Sequence, residues 1–467
     1  MKTLPIVFAS ALLLAATTST SAQATTDKNH EVAETLAQKA QASSLGFDIV
    51  ESLTVEVGPR LAGSAQDKVA VDWAMAKLTG LGFDKVYKEP VTVPVWHRGI
   101  ARASIKSPFP QPMVVTALGG SIATPEGGIS APVVRFDSLD ALNQAPADSM
   151  KGKIAFIDAK TERHRDGAGY GKTAGGRSRG AVAASEKGAL AIIIRSIGTD
   201  HDRMAHTGMM RYKDGVEPIP AAAISNPDAD LINAMLKRDP SVVVSLELGS
   251  ERRGEATSYN VIAEVSGSSK AEEIVLIGAH LDSWDEGTGA IDDGAGVAIV
   301  TAAAKHILDL SQKPARTIRV VLYAAEEVGL VGGKAYASAH EAELAKHYIA
   351  AESDFGAGRI YQIDWRVSDS AHQSMVAAMA VSETLGVVAG NNKASGGPDV
   401  SMLPALGVPV ASLRQDGSDY FDYHHTPNDT LDKIDPEALA QNVAVYAQFA
   451  WMMANSDVAL RPLPAKE

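Results

Sequence analysis

The sequence predicts an α/β fold: a largely parallel sheet flanked by helices, interrupted by an inserted β-rich block. Three observations predict it. From Tyr259 onward, near-continuous apolar runs (NVIAEV, IVLIGAH, IRVVLYAAE, HYIAAESD) alternate with helical stretches, as expected of strands covered on both faces. Between about Pro110 and Leu248 the texture changes to short β runs such as VVRF, KIAFID and AIIIRS, separated by Gly- and Pro-containing turns. Finally, carboxylates and histidines gather where the later apolar runs give way to turn residues, as in an open α/β sheet with a site at its strand ends.

At the N-terminus Lys2, the apolar stretch from Ile6 to Ala16, and small residues at Ala22 and Ala24 form the pattern of a secretory signal. A mature chain starting near Thr25 and a secreted or periplasmic location are the corresponding expectations. The apolar stretch is too short to span a bilayer, and no other run is long enough, so no membrane association is expected. Helical periodicity follows at Val32, Leu36 and Ala40 and again at Phe47, Val50 and Leu53, is broken by GPRLAGS, and resumes from Asp67 to Leu81. Lys85 to Val95 alternates charged and β-branched residues and reads as a strand. Inside the β-rich block RGAVAASEKGAL reads as a helix; His164, His201 and His206 are expected on loops or at the surface. Beyond Tyr259, helices are expected over Ala295 to Leu310, Gly333 to Ala345, Ala371 to Leu385 and Pro436 to Met453. Asp435 caps the last of them and Pro436 occupies its first turn.

Length and composition bound the function. A chain of 467 residues exceeds what one core usually holds, so two domains are expected. With 45% apolar and 21% charged residues it is an ordinary globular composition. The net charge of −13 and the lack of a basic stripe argue against a nucleic-acid partner. The absence of cysteine excludes disulfides, thiolate metal sites and a cysteine nucleophile.

The chemistry-bearing residues are individually ambiguous. His280 and Asp282 form H-x-D at the end of an apolar strand; one fits a metal ligand and the other the group that fixes the imidazole. Asp292 and Asp293 precede a helix, where an aspartate also serves as a cap. Glu326 and Glu327 end a strand that is otherwise apolar, a costly placement unless a cation or proton compensates. A metal-dependent hydrolase needs such a pair, one carboxylate to bind metal and one to take a proton from water. Asp354 closes the next strand, and His424 and His425 lie in the aromatic-rich loop YFDYHHTPNDT.

Taken together, GPRLAGS, YNVIAEVSG, GAHLDSWDEGTGAIDDGAG, AAEEVGLVGG and ESDFG occur in one order over nearly the whole mature chain. In this the sequence resembles the zinc-dependent exopeptidases that include bacterial leucyl aminopeptidases, most closely their plasma glutamate carboxypeptidase branch. The resemblance implies a mixed, largely parallel sheet flanked by helices and an inserted protease-associated domain. With it, residues 1–24 are expected to be the signal peptide, 25–110 and 256–467 the peptidase domain, and 111–255 the insert. It implies two zinc ions per chain held by His280, Asp292, Glu327, Asp354 and His425. Asp292 would bridge the ions, with His280 and Asp354 on one and Glu327 and His425 on the other. Glu326 would be the general base and Asp282 the support of His280, and the Asp292–Asp293 peptide would be cis. His425 is preferred to His424 from its spacing to Asp429, the acidic member of the family's D-T pair. The loop from Ser395 to Met402 is expected beside the pocket. The implied activity is exolytic hydrolysis of dipeptides or short peptides by water activated between two metal ions, in an enzyme of a kind that often forms homodimers. Aminopeptidase action on longer peptides and a catalytically inactive, receptor-like binding protein are the alternatives.

Overall fold

The computed structural model describes residues 28–464. The signal-peptide expectation therefore falls outside the described residues. A first sheet contains β1 (Lys85–His97), β2 (Glu251–Val265), β3 (Lys270–His280), β4 (Arg316–Tyr323), β5 (His347–Glu352), β6 (Ile360–Arg366), β7 (Val388–Ala389) and β8 (Val410–Gln415), in the spatial order β1-β2-β4-β3-β5-β8-β6-β7. At its centre β4, β3, β5 and β8 run parallel. The antiparallel pairings of β1 with β2, β2 with β4 and β6 with β8 make the sheet mixed.

The central strands are buried on both faces, and their side chains sort by the two-residue period of a strand. Val275, Ile277 and Ala279 of β3 enter a core shared with the helices Leu45–Glu56, Ala295–Leu308 and Pro436–Ala454. Ile274 and Leu276 enter the opposite core, beside Tyr336 and Ala337 of the helix Val331–Ala339. The helix Ala295–Leu308 is apolar nearly all round because it lies between the sheet and the helix Pro436–Ala454. Asp435 accepts from Glu437 N at 2.9 Å and Ala438 N at 3.4 Å, with proline in the first turn. Two helices are shorter than their periodicity suggests. The one predicted to Ala345 ends at Ala339 and continues as the 3₁₀ turn Glu341–Lys346, because His340 pairs across to Glu89 of β1 at 3.0 Å and to Glu343 at 3.2 Å. The one predicted to Leu385 becomes 3₁₀ after Ala378.

β1 and β2 pair along their whole length, from Lys85 opposite Glu264 to His97 opposite Glu251. The chain leaves and re-enters the first sheet along this ribbon. Between them lies a second sheet of eight strands, which starts at Ala101–Ser107 and ends at Val243–Leu248. Four of its strands, Ile129–Phe136, Ile154–Ile157, Ala191–Arg195 and Ala221–Ile224, are parallel to one another. Three helices accompany them, Leu139–Asn143, Ala168–Glu186 and Asn226–Leu236, so this unit is itself layered α/β with an apolar core on each face. Its strands begin ahead of residue 111. Among the described residues no helix is long and apolar enough to cross a membrane.

Arg60, from the GPRLAGS segment, is fully buried beneath the strand ends. Its guanidinium donates to the carbonyls of Leu281, Thr288 and Gly289. Gly289 O also accepts from Gly294 N, so replacing Arg60 leaves the carbonyls of Leu281 and Thr288 without their donor, each costing about 1–3 kcal/mol. Arg60→Met is therefore expected to lower unfolding free energy by about 3 kcal/mol or more, measured by urea denaturation.

Candidate metal centre

Each chemistry-bearing side chain leaves the C-terminal end of a parallel strand or the loop beside it. His280 is the last residue of β3, Glu326 and Glu327 follow β4, and Asp354 follows β5. Asp292 and Asp293 sit in the distorted turn Ala290–Gly294 before the helix Ala295–Leu308. The peptide between them is cis, as the resemblance implies. His424 and His425 follow the short helix Tyr420–Tyr423.

These groups converge on Asp292. One of its oxygens, Oδ1, lies 3.0 Å from His280 Nε2, which is also 3.6 Å from Asp354 Oδ1. The other, Oδ2, lies 3.4 Å from His425 Nε2 and 3.6 Å from His424 Nε2. His425 Nε2 is in turn 3.0 Å from Glu327 Oε2. The two imidazoles of His424 and His425 stack with centroids 3.5 Å apart. His425 thus meets both Asp292 and Glu327, whereas His424 faces Asp292 alone and leaves its buried Nδ1 without a partner. The two adjacent aspartates separate in function: Asp293 accepts from His280 N at 3.1 Å and from Gly296 N at 2.9 Å, tying strand to helix, while Asp292 faces the histidines.

Neighbouring groups hold this arrangement. Asp282 accepts from the backbone of Glu326 at 3.0 Å and Glu327 at 3.3 Å, and its carbonyl lies 3.0 Å from His280 Nδ1. Asp429 accepts from Ile291 N at 2.6 Å and Asp292 N at 3.2 Å; burial pushes its carboxyl up to about 7. Trp284 Nε1 donates to Glu327 Oε2 at 2.6 Å. Arg60, Trp284 and the backbone-binding role of Asp429 are not apparent from the sequence; the only hint is that Arg60 and Trp284 lie inside motif segments that carry the resemblance.

The electrostatics favour a cation. Burial opposes charging of His280, yet Asp354, Asp282 and Asp292 carry its pKa well above the usual histidine range. His425 is likewise raised to about 9 by Glu327 and Asp292 against the effect of burial. Burial resists ionisation of Asp292, but His280 and His425 outweigh it and hold its carboxyl well below the carboxylate range. Glu327 is raised by burial, with His425 opposing, and its Oε1 is buried without a partner. A set of buried carboxylates that draws its imidazoles toward protonation is a field that divalent cations satisfy, with release of those protons. Two donor groups have the compactness a metal needs: His280, Asp292 and Asp354, and Asp292, His424 and His425, each with atoms within 4.8 Å of one another.

Asp292, Glu326, Glu327, Asp354, His424 and His425 open onto a cavity of about 1030 Å³. Pro398, from the loop predicted to border the pocket, lines it, and the second unit supplies a wall that includes Arg177, Arg179, Arg211 and Lys213. Of the three histidines expected on loops or at the surface, His164 and His201 are exposed. His206 is instead buried at 1% exposure, because its ring is packed against the His424–His425 segment.

The model of peptidase family M28 matches residues 260–450. Carboxypeptidase Q of Mus musculus is 37% identical over 403 residues, 86% of this chain and 84% of that protein. The Homo sapiens carboxypeptidase Q is 34% identical over 422 residues, 90% of this chain and 88% of that protein. The crystal structure of a peptidase M28 precursor from Shewanella amazonensis, 83% identical, superposes with a TM-score of 0.94 over 94% of this chain and 100% of its own. An aminopeptidase from Aneurinibacillus sp. strain AM-1 shares the fold at 22% identity, with a TM-score of 0.63 over 92% of this chain and 98% of its own.

Proposed function

The chain belongs to peptidase family M28 and is a metallopeptidase, and from that premise we propose that it is an exported exopeptidase that uses two zinc ions to hydrolyse dipeptides or short peptides. The observation that carries the two-ion reading is Asp292, whose two oxygens face separate donor groups. His280 and Asp354 would hold one ion with it, Glu327 and His425 the other. His425 is preferred over His424 because it alone of the pair also reaches Glu327. Zinc, when bound, polarises a scissile carbonyl and acidifies water.

Glu326 lines the cavity, while its neighbour Glu327 is the glutamate that meets a histidine, 3.0 Å from His425 Nε2, which leaves Glu326 for the general base. It would take a proton from the attacking water and return it to the leaving amine. Asp282 fixes the backbone of Glu326 and Glu327 and so sets the base relative to the ligand. The cationic wall formed by Arg177, Arg179, Arg211 and Lys213 suits the free carboxylate of a short substrate. Export rests on the signal pattern of the N-terminal sequence.

Metal analysis and a dipeptide library test this reading together. The purified protein is expected to carry two zinc ions, to lose cleavage with a strong chelator, and to regain it on adding zinc. Free dipeptides are expected to be cleaved, while N-acetylated and C-amidated forms are not. Cleavage that survives amidation and fails only on acetylation identifies an aminopeptidase; cleavage unaffected by chelation defeats the metal reading.

A further inference from the structure

The turn that presents His425 is strained and is held from outside the peptidase sheet. His424 has φ −46° and ψ 123° and His425 has φ 62°. Thr426 N donates to Tyr423 O at 3.1 Å. These values describe a type II turn over Tyr423, His424, His425 and Thr426, with His425 at the position that ordinarily requires glycine. A type I turn spans the same ends without the left-handed residue, but it flips the His424–His425 peptide, and the His425 side chain would then leave from a differently oriented backbone.

Three successive residues of the second unit oppose that flip. His206 Nδ1 lies 2.9 Å from the His424 carbonyl oxygen. The other ring nitrogen, Nε2, is 2.6 Å from Asp200 Oδ1, and His206 N donates to Ser196 Oγ at 2.8 Å, so the ring is anchored on its far side. Thr207 N donates to His425 O at 3.0 Å. Thr207 O lies 3.2 Å from His425 Nδ1 and also receives Arg177 Nη1 at 3.5 Å. Arg177 Nη1 is also 3.3 Å from His425 Nδ1, so both contacts hold that edge of the ring and leave Nε2 free to face Asp292 and Glu327. Gly208 completes the clamp: a Cβ at this position would stand 2.4 Å from Arg177 Nη1 and 2.6 Å from His425 Nδ1. The same loop binds the preceding helix through Thr199, whose N donates to Phe421 O at 3.0 Å and whose hydroxyl donates to Asp422 at 2.7 Å.

We infer that His206, anchored by Asp200, is a positioning residue that holds the His424–His425 peptide in its type II orientation and thereby sets the affinity of the zinc site containing Glu327 and His425. The inserted unit is then part of the metal centre as well as a wall of the cavity. This inference rests on the two-zinc reading proposed above.

The test is a Zn²⁺ titration of the metal-stripped full chain in competition with a chromophoric chelator. Wild type is expected to bind two ions. In H206A one of the two sites, assigned here to Glu327 and His425, is expected to lose at least about tenfold in affinity, within the range typical for partners that orient a ligand, while the other stays within about twofold. H206N keeps a donor near the Nδ1 position and is expected to recover wild-type binding to within about threefold, which filling space alone would not predict. If H206A yields no folded chain, H206N and G208A decide, with G208A expected to weaken the same single site about tenfold or more. A wild type that binds one ion defeats the two-zinc reading and this inference with it. A wild type with two sites, beside an H206A or G208A that binds both ions equally well, overturns this inference alone. So does an H206N as weak as H206A.

Discussion

Glu326→Gln is expected to retain both zinc ions and lose on the order of 10³-fold in kcat, in the range a general base contributes. The carboxamide keeps the size of the side chain and leaves the backbone bond from Glu326 to Asp282 untouched. It cannot accept a proton from water. The surroundings bear on how such a base would be ionised. Burial, and then Asp354 and Glu327, push the Glu326 carboxyl well above the carboxylate range, with His280 opposing. A carboxyl so shifted ionises less readily, and positive charge at the adjacent donor groups favours the ionised form that can act as a base. Metal analysis alongside steady-state kinetics separates the two effects. Full metal content with kcat within tenfold of wild type would remove Glu326 from this role.

Asp292→Ala is expected to bring zinc content below about one ion per chain and to reduce turnover by at least ~10³-fold, because both proposed sites share that side chain. His280 lies toward Oδ1 with Asp354 beside it, and His425 toward Oδ2 with Glu327 beside it. Loss should therefore be larger than for Glu327→Gln, which touches one site only. The fold should survive, since the Asp293 bonds to His280 and Gly296, which tie the strand to the helix, stay in place. Urea denaturation of the metal-free proteins checks that point, and metal analysis after dialysis checks the count. Two ions retained in Asp292→Ala would refute a shared ligand.

A good part of the site was legible before any coordinates, because its residues interrupt apolar runs. IVLIGAH, IRVVLYAAE and HYIAAESD each carry a strand to its end and then an imidazole or carboxylate, and β3, β4 and β5 place those ends side by side. The pair of aspartates was ambiguous between cap and ligand until the turn at Ala290–Gly294 turned Asp292 toward the histidines and Asp293 toward the helix backbone. His206 lies on a loop, as TDHDRMAHTG, polar and turn-rich, suggests, but its burial is not legible there. Its burial comes from the His424 carbonyl it meets 218 positions away.

By itself, the sequence determined the class of fold, the strand ends that bear chemistry, the absence of thiol chemistry and the membership of a peptidase family. Only the tertiary structure decided that Arg60 and Trp284 support the donor groups from beneath and beside, and that a loop of the inserted unit grips the turn carrying His425. The division has a physical cause. Apolar periodicity reflects the cost of exposing each side chain along its own element, which is a local quantity. A hydrogen bond between distant segments depends on where packing brings a donor and an acceptor within about 3 Å, and neither segment carries that information alone.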